Sequence, residues 1–254
     1  MSHISVTTVD RITTLRFARA EKKHAITLQM YGDLRRALEA AGADAGVRAV
    51  IIAGTADCFT AGNDIGDFMR AGQGGGGDMM APLEFLRALA GFEKPVIAAV
   101  NGVAIGIGTT LLLHCDLVYA GPTARFKTPF VDLGLVPEAA SSVLLPRLVG
   151  ERRAAELLLL GAQIDAPTAL AWGLVTAVAD DADAAALVAA TQLAAKAPAA
   201  LRQSKALMRR ADRDQVLETM RIEGEAFAAR LRSPETMEAL QAFMMKRAPD
   251  FAKF

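Results

Sequence analysis

The chain has 254 residues, 52% of them hydrophobic, enough for a sizeable core in one large domain or one domain with an appendage. Its 28 Lys and Arg balance 28 Asp and Glu, so the basic excess of a nucleic-acid binder is missing. Cys58 and Cys115 are too few and too far apart for a zinc site or disulfide framework, and no apolar run approaches the ~20 residues of a membrane span. Asp10 and polar neighbours stand where a signal peptide needs an apolar run, so the expectation is a cytoplasmic protein with idle thiols.

Residues 4–9 and 11–17 alternate as a strand pair turning at Asp10. Thr27 is placed to cap a helix whose apolar stripe is Leu28, Tyr31, Leu34 and Leu38. Residues 49–53 (AVIIA) and 95–100 (PVIAAV) are short apolar runs that predict buried strands. Residues 72–77 hold five glycines but lack the Lys-Ser/Thr of a phosphate loop, which predicts a mobile loop. A helix over 109–113, strands at 117–120 and 174–178, and mostly helical text from Glu138 onward complete the pattern. Strands alternating with helices predict an α/β layered core. Mixed-charge helices over 198–254 predict a helical appendage on residues 1–197, packed on the core or on a partner subunit, with no clear linker between the two.

Two glycine-bearing segments follow predicted strands. The first is Cys58-Phe59-Thr60-Ala61-Gly62-Asn63-Asp64-Ile65, and the second is Asn101-Gly102-Val103-Ala104-Ile105-Gly106-Ile107-Gly108. Each puts permissive backbone at the carboxyl end of a strand, where open α/β sheets bind ligands. Two backbone N–H groups converging there would form an oxyanion hole; alone, either segment reads better as a tight turn or a helix–sheet contact. Glu138 follows Pro137, which suits the first turn of a helix, where a carboxylate complements the dipole.

In order and content these segments resemble the crotonase (enoyl-CoA hydratase/isomerase) superfamily over nearly the whole chain. Arg19-Ala20-Glu21-Lys22-Lys23-His24-Ala25-Ile26 is similar to its first acyl-CoA-binding stretch, with His24 where Asn is usual and Ala20 where Pro is usual. Phe59 to Ile65 resembles its first oxyanion segment, Lys94 to Gly102 the lead-in to the second, and Ala171-Trp172-Gly173-Leu174-Val175 a later landmark. The resemblance implies a crotonase-like spiral of ββα units with a C-terminal helical region, a thioester oxygen held by the Asn63 and Ile107 amides, and trimers or hexamers of two trimers. It implies acyl-CoA contacts at Lys22, Lys23, Ala25, Ala61, Gly62, Asp64, Ile65, Gly106 and Phe130. No metal or further cofactor is implied, CoA being part of the substrate.

Hydratases of this superfamily use two glutamates, and counting along this chain puts Thr110 and Phe130 in their places. Neither residue takes a proton at neutral pH. The stretch Phe126 to Glu138, with Gly62-Asn63-Asp64, resembles instead the peroxisomal-type Δ3,Δ2-enoyl-CoA isomerases, which implies that Glu138 moves a proton between C2 and C4 of the acyl chain. Asp132 stands as a candidate second acid, though it reads better as a solvated or capping carboxylate. Asp64 and Asp116 read as bracing residues, His114 as structural, and Met79, Met80 and Phe85 as pocket lining or core. The rival readings are a hydratase, an isomerase of ring-containing acyl-CoA, and a non-catalytic acyl-CoA-binding module.

Overall fold

The computed structural model describes residues 3–72 and 80–254. The predicted glycine loop lies outside these, except for Gly72 at the end of a helix.

In chain order the elements are β1 Ile4–Val9, β2 Ile12–Phe17, α1 Leu28–Ala43, β3 Ala49–Ala53, β4 Cys58–Thr60, α2 Ile65–Gly72, α3 Ala81–Ala90, β5 Val96–Val100, β6 Val103–Ile105 and α4 Ile107–Thr110. There follow β7 Leu117–Ala120, β8 Arg125–Lys127, α5 Ser141–Val149, α6 Glu151–Leu158, β9 Gln163–Asp165, α7 Ala166–Ala171, β10 Ala177–Val178 and α8 Ala182–Ala194. The chain closes with α9 Pro198–Arg209, α10 Arg213–Leu231 and α11 Pro234–Met244.

The larger sheet runs β1-β2-β3-β5-β7-β10, parallel throughout except for the β1–β2 hairpin. Its strands AVIIA and VIAAV are buried along their whole length because both faces are covered. On β3, Val50 and Ile52 face the main core with α1 and α3, while Ala49, Ile51 and Ala53 face the alanine stripe of α8 (Ala182, Ala186, Ala190). Alternation thus serves two cores, and α8 meets the sheet mainly through alanine, with Leu193 at its end.

A second sheet, β4-β6-β8-β9, is parallel across β4, β6 and β8, with β9 antiparallel. The sequence reading missed all four of its strands. Three residues are too few to display a period, and hydrogen bonding to neighbours, not patterning, makes them strands. The predicted strand at 174–178 shrinks to Ala177–Val178, and the predicted helix at 109–113 divides into α4 and a 3₁₀ turn over Leu111–His114.

The C-terminal region packs on the core through buried charge. Lys205 of α9 is 8% exposed and donates to the Lys94 carbonyl and to Asp116. Asp116 also accepts from Val96 N–H and Arg209, so it braces β5 as expected and anchors α9 as well.

Candidate active site

The site begins where the adjacent parallel strands β4 and β6 end. Past β4 the chain turns at Gly62 (φ +89°), and past β6 at Gly106 (φ +57°, ψ −119°), conformations that side chains disfavour. The two turns touch: a Cβ on Gly62 would lie 2.7 Å from the Ile105 carbonyl oxygen. The backbone after Gly62 bridges to Ile26, whose N–H donates to the Gly62 carbonyl and whose carbonyl accepts from Asp64 N–H. Strand alternation turns the Asn63 N–H away from that bridge. Ile107 is the first residue of α4, where an N–H has no acceptor within the helix. Neither N–H has a hydrogen-bond partner among the described residues.

The loop before α1 is laid along this edge. Ala61 N–H donates to the Lys23 carbonyl, and the Thr60 hydroxyl donates to the His24 carbonyl. Lys23 and His24 both have positive φ. His24, fully buried, accepts the Arg19 N–H at Nδ1 and donates from Nε2 to Thr55, whose hydroxyl proton goes to Asp57. Burial holds its pKa below the ordinary histidine value, which suits the neutral ring. The structure therefore brings Lys23, Ala25, Ala61, Gly62 and Asp64 together, with Lys22 and Lys23 exposed on the outside. Asp64 caps α2, accepting from Gly66 and Asp67 N–H, and pairs with Arg19 at 2.6 Å. Burial alone would raise its pKa, but these bonds outweigh it and hold the carboxyl low. Phe130 is buried in the main core and does not line the cavity described next; Asp132 is exposed and paired with Lys127.

Asn63 and Glu138 line one cavity of about 340 Å³, walled by Tyr31, Leu83 and Leu86 and by Met220, Phe227 and Leu231 of α10. Met80 lines it, whereas Phe85 packs in the core against Tyr31 with the rings tilted at 49°. The Tyr31 hydroxyl donates to Asn63 Oδ1 at 2.5 Å. With Oδ1 so engaged, the Asn63 amide nitrogen remains as its free donor. Burial, then the Glu138 carboxylate, pushes the Tyr31 phenol well above its ordinary pKa, which keeps it a donor.

Glu138 is half-buried and accepts from the Thr110 hydroxyl. Loss of bulk water pushes its pKa up; the Thr110 bond pulls the other way, the Glu223 charge adds to the rise, and the result is about 8. Pro137 and Glu138 are not in the first turn of α5, contrary to the helix-start reading. Ala139 (φ +61°) and Ala140 (φ +55°) intervene, and α5 begins only at Ser141. Consecutive left-handed alanines break the helix before it reaches Glu138 and direct its side chain to the cavity. The turn is gripped from two sides. His114, held neutral by burial with its pKa lowered to about 4, donates from Nε2 to the Ala139 carbonyl. Glu223 of α10 accepts from Ala140 N–H, Ser142 N–H and the Ser142 hydroxyl at 2.5–3.0 Å.

Sequence reasoning missed Glu223 and the α10 wall. The signal was present: Met220, Glu223, Phe227 and Leu231 share one helical stripe, and a carboxylate on an otherwise apolar stripe needs a buried partner. Tyr31 was placed on the apolar face of α1 without its bond to Asn63. A second cavity, about 380 Å³ and bordered by Phe92, Leu144, Arg202 and Val216, contains none of the predicted catalytic or substrate-binding residues.

Residues 7–253 match the family profile described as Enoyl-CoA hydratase/isomerase. The chain is 36% identical over 250 residues to a rat "Enoyl-CoA delta isomerase 2", covering 96% of this chain but only 64% of that protein's length. From Escherichia coli, a "2,3-dehydroadipyl-CoA hydratase" is 33% identical with 99% of both chains aligned, and a "1,2-epoxyphenylacetyl-CoA isomerase" is 34% identical with 94% of both aligned. A solved enoyl-CoA hydratase/isomerase from Pseudoalteromonas atlantica superposes with a TM-score of 0.93 at 43% identity, covering 98% of this chain and all of that one. By fold and by sequence the chain belongs to the enoyl-CoA hydratase/isomerase family of the crotonase superfamily.

Proposed function

We propose that the protein is a Δ3,Δ2-enoyl-CoA isomerase. The observation that carries this reading is the cavity's supply of acids: Glu138 is its one shielded carboxylate among the described residues. Glu225, the other lining acid, is exposed and paired with Arg221. Thr110 and Phe130, at the places of the two hydratase glutamates, offer no base, and Thr110 donates to Glu138 instead.

Hydration needs one group to activate water and usually another to deliver the α-proton. A 1,3-proton shift needs one. The Glu138 carboxylate takes a proton from C2 of a 3-enoyl-CoA, and the C–H electron pair enters the conjugated system as a dienolate with charge on the thioester oxygen. The Asn63 and Ile107 N–H groups bind that charge, each worth ~3–4 kcal/mol where such donors have been removed elsewhere. Protonated Glu138 then returns the proton at C4, leaving the double bond at C2. A pKa of about 8 suits a group that must both accept and release a proton near neutral pH. The chemistry uses no redox cofactor or metal, and CoA is part of the substrate. In this reading Lys22 and Lys23, exposed near the Gly62 turn, contact the CoA phosphates, and a trimer or a pair of trimers is the expected assembly.

The test is to supply 3-enoyl-CoA and 2-enoyl-CoA separately. Gain of conjugation from the first without hydration of the second is the expected result. Rapid loss of the 2-enoyl absorbance would replace this reading with a hydratase.

A further inference from the structure

We propose that Glu223, on the C-terminal helix α10, is a positioning residue that holds the Ala139–Ala140 turn in its left-handed conformation and so aims Glu138 into the cavity. The inference rests on Glu138 being the base. It goes beyond that reading by making α10 part of the catalytic apparatus as well as a wall of the cavity.

Three observations carry it. First, Ala139 and Ala140 both adopt positive φ, and alanine has no polar side chain to stabilise that conformation locally, so its cost must be offset by the surroundings. Second, what over-determines them comes from far along the chain. The Glu223 carboxylate, 7% exposed, takes the Ala140 and Ser142 N–H groups and the Ser142 hydroxyl, while His114 takes the Ala139 carbonyl from the other side. Third, the Glu138 carbonyl is inside the same turn, accepting the Ser141 N–H at 3.1 Å, so relaxation of the turn rotates the backbone that carries the base. Met220 and Phe227 of the same helix line the same cavity as Glu138.

Glu223→Gln tests this, because one amide oxygen cannot replace two carboxylate oxygens and the amide N–H₂ faces backbone donors. With 3-enoyl-CoA, turnover per folded molecule is expected to fall by roughly 10²-fold with KM little changed, the size associated with misplacing a reacting group by about 1 Å. Adding Ala140→Gly to Glu223→Gln should recover part of that turnover, since glycine adopts this φ without strain. Ser142→Ala, which removes one exposed member of the network, should give a smaller drop in kcat, again at constant KM. Wild-type kcat in folded Glu223→Gln overturns the inference. So does recovery of melting temperature without recovery of kcat on adding Ala140→Gly. If Glu223→Gln does not fold, Ser142→Ala decides, and wild-type kcat there overturns it. Glu138→Gln is measured in parallel: full turnover in that variant defeats the base reading, whereas inactive Glu138→Gln beside fully active Glu223→Gln defeats only the positioning role.

Discussion

Two turns present chemistry to the same cavity and reach their unusual backbone conformations by opposite means. At Gly62 the positive φ and the 2.7 Å approach to Ile105 are accommodated by the absence of a Cβ, a solution written into one residue. At Ala139–Ala140 no residue is suited to the conformation, and the turn persists because His114 and Glu223 grip it. The first solution is local. The second depends on tertiary structure, which links the base to the C-terminal helices. A residue-by-residue reading detects the first kind of turn and misses the second.

The largest effect expected is on the Ala139–Ala140 side. Glu138→Gln should lower isomerase turnover by ~10²–10⁴-fold while acyl-CoA binding persists, as for loss of a general acid–base. In the wild type, kcat should decline as pH falls below about 8, because the base must be unprotonated to start the reaction. A stopped or initial-rate assay across pH checks both.

On the glycine side, Gly62→Ala adds a Cβ against a backbone oxygen at a strained φ. Turnover should fall by about 10²-fold or more, the scale of losing one oxyanion donor, with a parallel loss of melting temperature. Retained turnover would mean that the turn is more adaptable than its contacts suggest, and would remove the contrast with Ala139–Ala140.

Tyr31→Phe sharpens the comparison between them, since Tyr31 touches Asn63 of the first turn and feels the charge of Glu138 on the second. Loss of the hydroxyl frees the Asn63 side chain and should cost about tenfold in kcat, within the range of ~1–3 kcal/mol for an unpaired buried acceptor. Steady-state kinetics with an unchanged KM is the expected signature.

Glu138→Gln should also affect stability, with a definite sign. The folded carboxyl has its pKa raised from 4.5 to about 8, so folding favours the protonated form. Below the unfolded pKa that preference costs nothing. As pH rises from there to about 8, the unfolded chain ionises while the folded one resists, and wild-type stability is lost. Glutamine does not titrate, so the variant's advantage in unfolding free energy, followed by denaturant melts, should be small at pH 5 and largest at pH 8.5, about 1–3 kcal/mol after discounting for solvent in the cavity. The smallest effect is expected at Asp132. It is exposed and paired with Lys127, so Asp132→Asn should change turnover and stability by no more than about 0.5 kcal/mol; a large loss of activity would move the base to it.

The sequence by itself determined the α/β class, the buried strands AVIIA and VIAAV, the Thr27 cap and stripe of α1, and the turns at Gly62 and Gly106, while Glu138 stood out through family resemblance. The strands, the α1 cap and stripe, and the glycine turns each rest on a local rule: an apolar run, a helical period, a capping hydroxyl or a missing side chain. Only the tertiary structure decided the four-stranded second sheet, whose three-residue strands exist through their neighbours. Tertiary contact also decided that Pro137 and Glu138 precede α5 instead of opening it. The same holds for the bond from Tyr31 to Asn63 and for the grip of Glu223 on residues 81 to 83 positions earlier. Those features are contacts between distant segments, and a hydrogen bond across 80 residues leaves no period or motif on either side of it.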